Sequence, residues 1–137
     1  MRIMALDYGD ARTGVAFSDL TGTIVGQTMV IASWNREKTL AEIERLAREY
    51  GAEEIVMGLP RNMDGTEGPR AALYREFSEC VKERTGLPLT LWDERRTTVE
   101  AHNILSANGK RMNRHKKNVD AVAASLILEG YLAYRTR

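Results

Sequence analysis

The chain has 137 residues, with 20 basic and 19 acidic side chains, a net charge of +1, 43% apolar residues and 28% charged residues. This length suits one domain, 1–137, with a real core; no apolar run approaches the ~18 residues of a membrane span, and the near-neutral charge argues neither for nor against a nucleic-acid partner. The single cysteine, Cys80, cannot form an internal disulfide, and the N-terminus lacks the long apolar stretch of a secretory signal, so a reducing, cytoplasmic setting is expected.

In chain order, Ile3 to Leu6, Thr13 to Ser18 and Thr23 to Ile31 are short apolar or β-branched runs separated by Gly9 and by Thr21-Gly22. They predict three strands in an antiparallel meander. Asp7 stands at the end of the first of them, where an unpaired acid is costly unless it caps a turn or binds something. Next, NREKTLAEIERLAREYG places Leu40, Ile43, Leu46, Ala47 and Tyr50 at helical spacing, with Asn35 as cap and Gly51 as stop.

EEIVMGLP predicts a buried strand ending at Gly58, and RNMDGTEG a turn-rich loop that positions groups near the same edge. Pro69 opens a second helix, with Leu73, Phe77, Cys80 and Val81 expected on one face. LPLTLWDE is a fifth strand ending in Asp93 and Glu94. TTVEAHNILSANG starts with a capping box, Thr97 and Glu100, and predicts a helix to Gly109. Asn118 can cap a last helix, VDAVAASLILEGYL, whose small residues suit close packing on a sheet. The order β-β-β-α-β-α-β-α-α implies an α/β fold with a mixed sheet, since strands joined through helices become parallel neighbours.

Ligand sites in such sheets form beyond the carboxyl ends of the parallel strands. Asp7, one of the Asp93-Glu94 pair, and Asp120 in the first turn of the last helix are therefore candidates for a carboxylate cluster. Glu94 is preferred to Asp93, because adjacent strand residues face opposite ways and only one enters the site. An all-oxygen cluster suits magnesium or manganese, and no cysteine and histidine spacing suggests zinc. Two such ions roughly 4 Å apart can hydrolyse a phosphodiester. Asp7 as a turn residue and Asp120 as a favourable charge on a helix dipole are the competing structural explanations.

GKRMNRHKKN adds Lys110, Arg111, Arg114, Lys116 and Lys117 without an acid, a patch suited to phosphates. Arg12 and Arg95 adjoin acids of the proposed site and are the preferred phosphate-steering pair, ahead of Arg61 and Arg96. His102 and His115 are read as surface or packing residues, Asp10, Asp19 and Asp64 as turn residues, and Trp34 and Trp92 as core residues unless exposed.

The motifs LDYGDARTGVAFSD, VMGLPRNMDGTEG, WDERRTT and VDAVAA, in this order and across essentially the whole chain, resemble the YqgF/RuvX family of Holliday junction resolvases assigned to pre-16S rRNA processing in bacteria. The resemblance implies a ribonuclease H-like five-stranded sheet, three antiparallel strands followed by two parallel ones. It also implies a metal-dependent nuclease acting on pre-rRNA or branched DNA, using Mg2+ or Mn2+, with ribosomal particles among its partners and a monomeric or homodimeric state. The family's acidic metal ligands fall on Asp7, Glu94 and Asp120. Arg96 stands where the family usually has an apolar residue. Two rival readings remain open at this point: an actin-like ATPase, suggested by the first hairpin but needing a second domain, and a non-catalytic ribosome-binding factor.

Overall fold

The computed structural model describes residues 1–93 and 119–135. The first strand, β1 (Arg2–Asp7), pairs antiparallel with β2 (Arg12–Ser18), which pairs antiparallel with β3 (Val25–Ala32). Helix α1 (Arg36–Glu49) leads to β4 (Ala52–Leu59), helix α2 (Pro69–Thr85) to β5 (Leu89–Asp93), and helix α3 (Val119–Arg135) follows. β4 lies parallel to both β1 and β5, so the five-stranded sheet has the order β3-β2-β1-β4-β5. The expected pattern of three antiparallel strands and two parallel ones is observed. The helix expected over 97–109 and the Asn118 cap lie outside the described residues.

Alternation along the strands sorts side chains into two layers. Met4, Leu6, Val15, Phe17, Ile55, Met57 and Leu59 face α1 and α2, whereas Ile3, Ala5, Ala16 and Val56 face α3, where they meet Ala124, Ile127, Leu128, Tyr131 and Leu132. Each layer removes apolar surface from water at about 25 cal/mol per Å². Ala124 is fully buried, as close packing of a small residue on the sheet requires.

Local chemistry explains the element ends. Asn35 caps α1 by accepting from the Lys38 N–H at 3.0 Å, and Pro69 opens α2, whose missing N–H costs nothing there. Gly86 ends α2 in the left-handed region (φ 69°), donating its N–H to the Lys82 carbonyl at 2.8 Å.

Three expectations need correction. β3 starts at Val25 rather than Thr23, because the Asp19 carboxylate accepts the N–H groups of Thr23 and Ile24 at 2.8 and 3.2 Å and holds both in the turn. β4 runs one residue past Gly58, to Leu59. On α2, Leu73 is 59% exposed, and the buried face consists of Ala71, Tyr74, Phe77, Ser78 and Val81. Leu73 follows Ala71 by two positions, about 200° around the helix, so it points to the far side.

Candidate active site

The three parallel strands, β1, β4 and β5, run in one direction and end at one sheet edge on Asp7, Leu59 and Asp93. β2 begins at that edge with Arg12, and β3 ends there with Ala32, which pairs with Arg12. Asp7 has the parity of Ile3 and Ala5, so it belongs to the face that α3 covers. Arg12 has the parity of Gly14 and Ala16 and shares that face.

Glycine lies on both sides of Asp7. On β2 its register partner is Gly14. On β4, Leu6 pairs with Met57, so one further step along β1 brings Gly58 alongside Asp7, and Gly58 in turn pairs with Trp92. Neither neighbouring strand therefore places a side chain beside this half-buried carboxylate. The sequence marks both glycines but does not reveal that they flank the acid, since strand register depends on residues far apart in the chain.

Helix α3 packs on the face of the sheet that carries Ile3 and Ala5. Near its C-terminal end the Tyr131 hydroxyl donates to Glu54, and the Arg135 guanidinium lies 3.6 Å from the same carboxylate. Glu54 pairs with Ile3 near the start of β1. From Tyr131 back to Asp120 is about 16 Å along a helix; from Ile3 forward to Asp7 is about 13 Å along a strand. A helix continuing back along β1 from that contact would bring its first turn, with Asp120, to the level of Asp7.

A layer of aromatic residues holds the segment after Asp7. The Tyr8 ring stacks on Phe77 with centroids 3.7 Å apart and meets Tyr74 edge-on at 5.2 Å. The Tyr74 hydroxyl donates to the Tyr8 carbonyl at 2.6 Å and accepts from Arg70 at 3.1 Å. Burial pushes the Tyr8 phenol above its ordinary pKa; the Arg36 charge opposes this and Asp10 adds to it. The turn is tight: a Cβ on Gly9 would sit 2.4 Å from the Arg12 carbonyl oxygen, so any other residue would shift the chain between Asp7 and Arg12.

The loop after β4 is ordered by its own side chains. Asp64 accepts from the Thr66 N–H at 3.0 Å, and Asn62 and Thr66 bond through both backbone and side chains. Glu67 receives a two-pronged Arg75 guanidinium, both contacts 2.7 Å, which holds its carboxyl below the usual range; Arg61 lies 3.7 Å from the same carboxylate. Arg61 is thus partly committed to an ion pair, unlike the role of phosphate guide considered for it.

Asp93 shares the parity of Leu89 and Leu91, which pack on the α1 and α2 side, opposite Asp7. Glu94, Arg95, Lys110, Arg111, Arg114, Lys116 and Lys117 lie outside the described residues, as do the Thr97-Glu100 capping box, His102 and His115. Among the described residues no three acidic, histidine or cysteine side chains converge as a metal-binding group. Trp92 packs against α3, with its ring 6.0 Å from Tyr131, but Trp34 is 82% exposed. Cys80 is half-buried against the core and accepts from Arg36 at 3.3 Å.

A family model, RuvX, described as Holliday junction resolvase, matches residues 1–134. A protein of Halothermothrix orenii named "Putative pre-16S rRNA nuclease" is 45% identical over 138 aligned positions, covering 100% of this chain and 98% of its own. Among solved structures, RuvC of Thermus thermophilus superposes with a TM-score of 0.63 over 99% of this chain and 96% of its own, at 11% identity. The fowlpox virus Holliday junction resolvase superposes with a TM-score of 0.57 over 100% of both chains, at 12% identity. These two structural likenesses concern the fold, and they agree with the expected ribonuclease H-like sheet.

Proposed function

We propose, from the premise that this chain belongs to the RuvX family, that it is a metal-dependent nuclease that hydrolyses phosphodiester bonds in structured nucleic acid, with the 5′ end of pre-16S rRNA as its substrate. The observation that carries this reading is the position of Asp7: an acid at the end of the central strand of the sheet, between Gly14 and Gly58. The whole chain, 1–137, acts as one ribonuclease H-like domain, working in the cytoplasm on ribosomal precursor particles.

The chemistry of the donors fits a hard divalent cation, Mg2+ or Mn2+. Asp7 and Asp120 offer only oxygen, and so does Glu94, the residue that follows Asp93 in the sequence. Those three carboxylates would hold the ion. When bound, it supplies Lewis-acid stabilisation of a phosphoryl oxygen and activation of water.

The rest of the work falls to the chain. Asp7 is held by a central strand paired on both sides, and the stacked Tyr8 anchors the backbone that follows it. Arg12, exposed on the same face and edge, orients a phosphate, with Arg95 as its partner in the motif after β5. Lys110, Arg111, Arg114, Lys116 and Lys117 contact the backbone of a long substrate, and affinity then falls with salt as condensed counterions are released.

The test is cleavage of a 5′-extended 16S rRNA precursor and of a four-way DNA junction, side by side, with manganese or with EDTA, by the wild type and by Asp7→Asn. Metal-dependent cutting of the precursor, lost in Asp7→Asn by at least the roughly hundredfold that even an outer partner of a metal can be worth, is expected. The family description favours the junction as the other substrate. Paired cuts of a junction need two active sites, so a homodimer on a sizing column together with junction cleavage would transfer the activity to branched DNA. Binding without cleavage of either would leave a ribosome-binding factor.

A further inference from the structure

We propose that Trp34 is a stacking platform for an unpaired base of the nucleic-acid substrate, placed beside the Asp7 edge by a backbone that is rigid on both sides of it. The proposal rests on the nuclease reading for its substrate class and on the geometry around Trp34 for everything else.

Trp34 follows β3 at the same edge where β1 ends and β2 begins. The Ser33 N–H donates to the Ala11 carbonyl at 2.9 Å, tying the segment to the turn between Asp7 and Arg12. The Ser33 hydroxyl accepts from the Asn35 N–H at 3.1 Å, and Asn35 caps α1. The backbone is thus pinned before and after residue 34, while the indole is 82% exposed. Gly14 pairs with both Asp7 and Val30, so Trp34 lies two strands across and four residues on from Asp7. That is at most roughly 16 Å between backbones, about five nucleotides of a stacked strand.

The usual structural explanation for an apolar residue here does not hold. Trp34 immediately precedes the cap of α1, the position from which a hydrophobic staple would pack against the fourth helical residue, Thr39. Thr39 is instead buried, with its hydroxyl donating to the Asn35 carbonyl at 3.1 Å, and Trp34 stays in solvent. An indole held on a fixed backbone is a suitable surface for a base, because every base has a π-face and stacking needs no particular sequence. Arg12, which pairs with Ala32 two residues before Trp34, puts a cation at the same edge for the phosphate of the stacked nucleotide. These neighbours favour a nucleotide over an apolar protein surface.

The test is tryptophan fluorescence and affinity in the full-length Asp7→Asn protein, which leaves the probe uncut. The probes are short single-stranded RNA, DNA of the same sequence, and a blunt duplex. Single strands should quench the emission, and Trp34→Ala should weaken their binding about tenfold while leaving the blunt duplex unchanged. Trp34→Phe should restore most of the affinity and lose the quenching, because Trp92 is shielded against α3. The RNA and DNA arms show which sugar the platform accepts. Equal single-strand affinity of wild type and Trp34→Ala, with both folded, overturns the proposal whatever the cleavage assay gives. Trp34-dependent binding in a protein that cuts nothing would retain the platform and overturn the nuclease reading.

Discussion

Asp7 and Gly14 are register partners across the β1–β2 ladder. Side chains paired in this way would have Cβ atoms only about 5 Å apart, so the glycine at position 14, itself buried, places no side chain directly opposite the carboxylate. Gly14 does not use the left-handed backbone region, so its backbone accepts other residues. Gly14→Val should therefore keep the strand, which favours β-branched residues, and still lower kcat about tenfold by crowding Asp7. Kinetics paired with a thermal melt would decide it; full activity in a folded variant would remove the glycine at position 14 from the explanation.

The bond from Tyr74 to the Tyr8 carbonyl connects α2 to the residue after Asp7. Tyr74→Phe keeps the ring contact but removes the donor, and should cost about 1 kcal/mol in stability. Because the loss falls next to the site, kcat should drop several-fold while the affinity for uncut substrate stays level. A uniform change in affinity without a change in kcat would mean that this bond only supports the fold.

Asp19 sets the acid limit of the turn between β2 and β3. Its carboxyl is lowered to about 2, first by the Thr21 hydroxyl and then by the Thr23 N–H. A folded value below the unfolded one means that this contribution is complete above about pH 4 and lost as pH falls through 2. Asp19→Asn should be less stable than the wild type at neutral pH, with the gap closing between about pH 4 and pH 2. Urea midpoints measured across that range provide the check.

If the basic segment from Lys110 to Lys117 contacts phosphates, its neutralisation should flatten the salt dependence of binding. Each phosphate contact removed lowers the slope of log K against log salt by about 0.7 to 0.9. Replacing Lys110, Arg111, Arg114, Lys116 and Lys117 by Gln should reduce affinity for all sequences alike. Titrations at several salt concentrations that give an unchanged slope would place the phosphate contacts elsewhere.

Much of this protein could be read from local chemistry. The Asn35 cap, Pro69 at the head of α2 and the alternation in β1 act within a few residues of themselves, and each element lies where those signals place it. The errors are also local competitions: Asp19 draws Thr23 and Ile24 into a turn that their β-branched side chains disguise, and Leu73 interrupts the phase of a helix whose true stripe runs through Tyr74, Phe77 and Val81. The four motifs carry the family, and with it the expectation of Asp7, Glu94 and Asp120 as a set.

Among the described residues, the sequence by itself determined which segments form strands and helices, and which acid ends the first strand, because hydrogen-bonding caps and side-chain alternation operate over a few residues. Only the tertiary structure decided that Gly14 and Gly58 bracket Asp7, that Tyr131 of α3 bonds Glu54 of β4, and that Trp34 is left in water. Those facts depend on register and layer packing between segments distant in the chain, where long-range pairing and the burial of apolar surface outweigh any preference a residue has for its own neighbours.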